Sequence, residues 1–255
     1  MIQNERFLRI IEYLKENRTA NLKKIAELND VSVDTVRRDF KELEKEGMLR
    51  RVRGGAIFHN VDITRQGVDV RTATHSDEKK EVAGLLSSFI LDGQAVGLNS
   101  GTTCVEVARF LTENYKKLTV ITNNLKAVDV LAKAKNFIVI IPGGELDSSE
   151  NAIYGEICEE SILKYNIDVA IFGAHAISLE KGVTDFRIKQ QGVIKALLKS
   201  SKKKIAAVDS SKFDQIAYVN VCDLKDIDMV LSDSKLSESL KQKYEKQGIK
   251  LITPK

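Results

Sequence analysis

The chain has 255 residues, 43% of them hydrophobic and 30% charged, with two prolines; this composition excludes a disordered or fibrous protein and permits one large folding unit or two. Its net charge is +4, but residues 1–58 hold 13 Lys and Arg against 10 Asp and Glu while the remainder is nearly balanced, 27 against 26; such a basic first quarter points to nucleic acid only if its charges share one face. The opening MIQNERFLRIIEYLKENR is charged throughout and does not read as a signal peptide, and no apolar run approaches the roughly 18 residues of a spanning helix, so no membrane partner is expected and the protein is assigned to the cytoplasm.

From Ile2 to Glu16, Phe7, Leu8, Ile10, Ile11 and Leu14 recur at helical spacing and predict a helix with one buried stripe. Leu22, Ile25, Ala26 and Leu28 follow Asn21, a good N-cap, and predict a second short helix that Asn29-Asp30 breaks. Ser32 caps a third, in which Val33, Val36, Phe40 and Leu43 repeat every three or four residues and Gly47 supplies the stop. Three short helices with a tight break before the last make a helix-turn-helix. At about 100° per residue the apolar positions of the third helix fall in a narrow arc, so Asp34, Thr35, Arg37, Arg38 and Lys41 lie on the opposite face. That face, with Ser32 at its start, is what such a motif presents to the major groove, where arginine binds guanine with two hydrogen bonds. Met48 to Val52 and Ala56 to Phe58 then predict a hairpin turning through Arg53-Gly54-Gly55, whose arginines, Arg50, Arg51 and Arg53, suit phosphates or a minor groove.

The run VSVDTVRRDFKELEKEGMLRRVRGGA resembles the signature of the DeoR-type bacterial transcriptional repressors: Ser, then Thr, a hydrophobic residue, Arg-Arg-Asp, Leu-Glu, Gly and a closing Arg-x-x-Gly-Gly-Ala. The resemblance implies a winged helix-turn-helix that binds double-stranded operator DNA.

Between His59 and His75 the text HNVDITRQGVDVRTATH has no sustained helical period and reads as a linker, residues 59–75, between a first domain at 1–58 and a second at 76–255. Ser76 to Leu91 starts the second domain with an amphipathic helix. Apolar runs follow at Ala95–Leu98, Leu118–Ile121, Phe137–Ile141, Val169–Phe172, Ile205–Val208, Met229–Leu231 and Lys250–Ile252, most of them short, β-branched and not alternating, as in strands buried on both faces. Helical stretches around Val105–Glu113, Leu125–Ala134, Ile157–Tyr165, Val193–Ser200 and Leu236–Lys246 separate many of them. The alternation predicts an α/β domain with an open, mainly parallel sheet and helices on both sides.

In such sheets ligands bind at the carboxyl ends of the strands. The first strand runs into Asn99-Ser100-Gly101-Thr102-Thr103 and a helix: small residues for close backbone approach, hydroxyl donors, and a helix N-terminus with unpaired N–H groups. The later strands end in Thr122-Asn123-Asn124, Pro142-Gly143-Gly144-Glu145, Gly173-Ala174-His175 and Asp209-Ser210-Ser211-Lys212-Phe213, so polar and glycine residues gather at one edge, with Lys212 offering a positive charge. Each of these alone is also an ordinary strand-to-helix turn. The segments SGTT, TNN, PGGEL, GVT and DSSKF resemble, in order and spacing, the effector domain of the same repressors, which is similar in fold to ribose-5-phosphate isomerase and senses a phosphorylated sugar or related metabolite. The resemblance implies that Ser100, Gly101, Thr102 and Thr103 hold the phosphate, with Thr122, Asn123, Asp209 and Lys212 nearby. The chain departs from the family at Asn99 and at Lys189, Gln190 and Gln191, where acidic residues are common.

A winged helix reads few base pairs, so a homodimer or homotetramer on repeated half-sites is expected. The competing reading is a sugar-phosphate isomerase or transferase carrying a DNA-binding module, with Asp209, Glu145 and Asp185 as candidate bases, but no paired carboxylates follow the SGTT loop. Cys104, Cys158 and Cys222 form no Cys-x-x-Cys pair, and His59, His75 and His175 no ligand-spaced cluster, so neither a metal nor a cofactor is expected.

Overall fold

In the computed structural model, which describes residues 3–45, 48–58 and 68–254, the apolar stripe of α1 (Gln3–Asn17) is buried at Phe7, Ile10, Ile11 and Leu14. It packs with Ile25 and Ala26 of α2 (Leu22–Asn29), with Val36, Phe40 and Leu43 of α3 (Val33–Lys45), and with Met48, Leu49 and Ala56 of the hairpin that follows. The helix boundaries come from side-chain and backbone chemistry. Asn21 at the end of β1 (Thr19–Asn21) caps α2 by accepting from Lys23 N at 2.9 Å. α2 stops at Asp30, whose φ of 51° reverses the chain, and Ser32 Oγ caps α3 by accepting from Thr35 N at 3.1 Å.

The hairpin, β2 (Leu49–Val52) and β3 (Gly55–Phe58), is completed by β1 into a three-stranded antiparallel sheet of order β1-β3-β2. Its two adjacent glycines serve different ends. Gly54 takes a φ of 85° in the turn, whereas a Cβ on Gly55 would lie 2.1 Å from the Ala20 carbonyl oxygen, so the absent side chain lets β1 and β3 meet.

The expected helix stop at Gly47, His59, and residues 59–67 of the expected linker lie outside the described residues. Part of that linker is a helix, α4 (Val68–Ala73), packed against α1. Six residues give too few turns for a period to register in the sequence, yet Val68 is buried. By contact density the chain divides into Met1–Thr74 and His75–Lys255.

The second unit opens with α5 (Ser76–Gly84), shorter than the sequence suggests because Leu85–Ser88 tightens to a 3-10 turn. Then come β4 (Ala95–Leu98), α6 (Thr102–Asn114), β5 (Thr119–Thr122), α7 (Leu125–Leu131), β6 (Ile138–Ile140), β7 (Glu145–Asp147), β8 (Ala152–Tyr154) and α8 (Glu156–Leu163). They are followed by β9 (Ile167–Phe172), β10 (Ala176–Ser178), β11 (Gly182–Asp185), α9 (Ile188–Ser200), β12 (Ser201–Ala207), β13 (Val219–Cys222), β14 (Met229–Leu231), α10 (Glu238–Glu245) and β15 (Leu251–Ile252). The seven strands at the apolar runs form one parallel sheet of order β15-β14-β12-β9-β4-β5-β6, and β4 lies at its centre between β9 and β5. Val96, Leu98, Val120, Val169, Ile171 and Ile205 pack with α5 and α6 on one side, while Ile121, Ile167 and Ala170 pack with α8 and α9 on the other. The hairpin β7–β8 and a three-stranded antiparallel sheet, β10-β11-β13, are additions that the apolar runs do not announce. Among the described residues no helix is long and apolar enough to cross a membrane.

Candidate functional site

In the first unit α3 turns Val36, Phe40 and Leu43 inward and leaves Ser32, Asp34, Arg37, Arg38 and Lys41 exposed, with Thr35 half-buried. The helix is fixed by an ion pair that sequence reasoning missed. Arg6 of α1 donates to Asp39 through Nε at 2.8 Å and Nη2 at 2.9 Å, and both side chains are largely buried. The hydrogen bonds that Arg6 donates to Asp39 raise its pKa against the cost of burial. A signal was present: Asp39 lies three residues after Val36 and four before Leu43, on the apolar stripe, where an acid requires a partner.

The basic residues on this surface are not equivalent. Arg37 Nη1 donates to Asp34 Oδ1 at 2.7 Å. Arg51 is turned back onto the domain, its backbone N–H and Nε donating to the two oxygens of Glu44 at 2.7 and 2.6 Å, and these bonds lower the Glu44 pKa. Arg38, Arg50 and Arg53 are exposed and make no such bond to another described residue.

In the second unit the sheet's carboxyl edge collects the loops expected there. Asn99, after β4, is fully buried; its Nδ2 donates to the Gly173 carbonyl and its Oδ1 accepts from Gly173 N, both at 2.9 Å, tying β4 to β9. Ser100 is equally buried. Its hydroxyl donates to Gln190 Oε1 at 2.7 Å and meets the Tyr154 hydroxyl at 2.7 Å, while Gln190 Nε2 donates to the Ser100 carbonyl at 2.7 Å. These two side chains therefore shape the loop from beneath, and the accessible part of the cradle consists of Gly101 and Thr102, both half-buried, with Thr103 buried. Among the described residues no side chain caps α6, so its first N–H groups are open to an anion.

Asn124 holds the next loop to this one, its Nδ2 donating to the Gly101 carbonyl at 3.1 Å, and Thr122 Oγ1 accepts from Asn124 N. Asn123 Nδ2 donates to the Ile153 carbonyl at 2.8 Å. On the other flank a Cβ at Gly173 would stand 3.6 Å from Thr103 Cβ and 3.7 Å from the Ala207 carbonyl oxygen, so the loop after β12 borders the cradle. There Asp209 Oδ1 accepts from Ser211, and Lys212 Nζ lies 3.9 Å from Asp209 Oδ2. Asp209 Oδ2 and Asn123 Oδ1 are buried acceptors with no hydrogen-bond donor among the described residues. His175 packs edge-on to Phe186, with centroids 4.9 Å apart. Of the expected glycines, Gly144 abuts the Tyr154 carbonyl and Gly143 faces the Ile157 side chain; nothing brings Gly143 to the cradle.

Arg187, absent from the sequence-derived site, is the buried cation of this edge. Its Nε and Nη2 donate to Asp185 at 2.9 and 2.7 Å, and its Nη1 lies 3.3 Å from Glu150 Oε2. Burial opposes its charge, but the field and hydrogen bonds of Asp185 raise its pKa overall, and Arg187 in turn overrides burial to lower that of Asp185. Asp185 stands only two residues before it, but Glu150 comes from the β7–β8 turn 37 residues away, so the sequence of FRIKQQ alone does not mark this arginine as buried. Cys104, Cys158 and Cys222 are free thiols pushed up to about 12 by burial, which leaves them poor nucleophiles.

Residues 6–61 match the family described as DeoR-like helix-turn-helix domain, and residues 74–234 the one described as DeoR C terminal sensor domain. The chain is 31% identical over 252 residues to the HTH-type transcriptional repressor GlcR of Bacillus subtilis (strain 168), covering 99% of this chain and 96% of that protein. It is 30% identical over 234 residues to the Glycerol-3-phosphate regulon repressor of Escherichia coli (strain K12), covering 92% of each. Among solved structures, ribose 5-phosphate isomerase A from Methanocaldococcus jannaschii is similar over 55% of each chain, at 18% identity and a TM-score of 0.41.

Proposed function

The chain belongs to the DeoR family of transcriptional regulators, and from that premise we propose that it is a cytoplasmic repressor of sugar or related carbon metabolism whose operator affinity is set by a phosphorylated sugar metabolite. The observation that carries the DNA-binding half is the sorting of α3: apolar residues inward, Asp34, Thr35, Arg37, Arg38 and Lys41 outward, with the arginines of the wing following in sequence. The sensor half rests on the start of α6 at Thr102, where no side-chain cap is found among the described residues, and on a cation, Lys212, in the loop after β12; an open helix N-terminus suits a phosphate. It also rests on the buried acceptors Asp209 Oδ2 and Asn123 Oδ1, which suit the hydroxyl donors of a sugar.

The names of the relatives GlcR and Glycerol-3-phosphate regulon repressor agree with this reading. The family is one of regulators rather than enzymes; of the three carboxylates considered as bases, Asp185 has both oxygens held by Arg187. Repeated half-sites favour a homodimer or homotetramer. A ligand that binds two states unequally by about 1–3 kcal/mol shifts operator affinity ~5–150-fold.

The test is a salt-dependent shift of the protein's own promoter DNA, lost in Arg38→Ala, combined with a thermal-shift screen of sugar phosphates. Thr102→Ala and Lys212→Ala should keep the shift and lose its response to the sugar phosphate that raises the melting temperature. An unchanged response in both variants overturns the sensor assignment.

A further inference from the structure

The groove-facing surface of α3 carries an acid among its bases. Asp34 lies in the first turn, 75% exposed at its side chain, and Arg37, one turn on and 64% exposed, donates to it through Nη1 at 2.7 Å. A carboxylate aimed at a polyanion is unfavourable unless it does something specific there, and an i,i+3 pair in open solvent contributes little to helix stability. The bond uses Nη1, and among the described residues the Nε–Nη2 edge of the guanidinium makes no hydrogen bond; that edge has the spacing of the guanine O6 and N7 acceptors.

The rest of the turn is already fixed. Ser32 Oγ caps Thr35 N at 3.1 Å and lies 2.9 Å from Thr35 Oγ1, and the Arg6–Asp39 pair clamps the helix behind it. Arg38 pairs with no carboxylate among the described residues. One of two adjacent arginines is therefore held in a single presentation while its neighbour stays free to follow the backbone.

We propose that Asp34 is the specificity-determining residue of the recognition helix: it orients Arg37 for bidentate contact with one guanine per half-site. It also rejects sequences that would set an acceptor-rich base edge against its own carboxylate. The inference rests on the operator-binding reading above and adds a division of labour within it. Water leaves the groove on binding, so the pair tightens in the complex, where freezing a long side chain in advance reduces the entropy lost on contact.

The experiment selects from a randomised duplex library with the full-length wild type, Asp34→Ala, Asp34→Asn and Arg37→Ala, and measures each variant's affinity for an unrelated duplex. The wild type should enrich a fixed G·C pair in each half-site. Asp34→Ala should lose about ten-fold discrimination at that pair, while its affinity for the unrelated duplex holds or rises. Arg37→Ala should erase the same position, and Asp34→Asn, which keeps an acceptor for Arg37, should retain part of the preference. Unfolding curves superimposable on wild type would exclude a folding defect, as the exposure of both side chains leads one to expect. If Asp34→Ala gains affinity for every sequence alike with its preference intact, Asp34 is only a surface charge and the inference is overturned alone. Wild-type protein that enriches no sequence overturns both this inference and the operator-binding reading.

Discussion

Gln190 holds Ser100 at two points: its amide nitrogen donates to the serine carbonyl and its amide oxygen accepts from the serine hydroxyl, each at 2.7 Å. Both residues are fully buried, and the pair joins α9 to the loop between β4 and α6. Only a side chain with a donor and an acceptor satisfies both ends of the serine. Gln190→Glu removes the donor and sets a carboxylate against a carbonyl, so it should cost about 1–3 kcal/mol or more, read from urea unfolding of the full chain. The thermal shift given by a sugar phosphate that stabilises wild type should fall with it.

Arg6 and Asp39 form a buried bidentate pair, so removing one partner strands the other's charge. Arg6→Ala should destabilise the first unit by about 3–5 kcal/mol, whereas joint replacement by Met and Leu should recover most of that loss. A double-mutant thermal unfolding cycle measures the difference.

The two glycines of the wing should respond differently to the same change. Gly54→Asn should be tolerated, because asparagine adopts positive φ and nothing stands within 4 Å of a Cβ there. Gly55→Asn should cost about 1–3 kcal/mol by forcing β1 from β3. Unfolding curves of the two variants, with duplex affinity alongside, decide the matter.

Arg50 and Arg53 are exposed and make no ion pair among the described residues, so each alanine variant should weaken binding to all duplexes alike and reduce the salt slope by about one. Arg51→Ala should change the slope less, since its guanidinium is committed to Glu44. Titrations at several salt concentrations on an unrelated duplex separate the three.

Glu78 is buried on α5 and receives Lys235, its own backbone N–H and His75; burial pushes its pKa up, but these bonds together pull it from 4.5 to about 2. A folded pKa below the unfolded one gives stability that is fully present above about pH 4.5 and lost as pH falls toward 2. Melting temperatures across that window should fall less steeply for Glu78→Gln than for wild type.

The seven apolar runs and the first three helices, two of them capped, were legible in the sequence because each signal is local: Asn21 and Ser32 cap the helices they precede, and β4 spans Ala95–Leu98 as its run suggests. The strand-end loops were legible for the same reason, but the roles of their side chains were not. Asn99 and Ser100, expected at the ligand, bond inward to Gly173, Gln190 and Tyr154, partners 54 to 90 residues away, which no local pattern announces. Arg187 and Glu150 escaped notice because a charged residue in a polar loop looks the same whether it faces solvent or an ion pair. α4 and the short antiparallel strands are too brief for a period to emerge above the noise of their neighbours.

The attachment of α5 bears on the order in which the protein is made. Glu81 accepts from Ser234 N, 153 residues later in the chain, and Glu78 waits for Lys235, 157 residues later. At roughly 5–20 residues per second on a ribosome, the first unit can complete its core some 8–30 s before the second can fasten its opening helix. The DNA-binding part of each new molecule is thus finished while the part that would govern it is still an open chain.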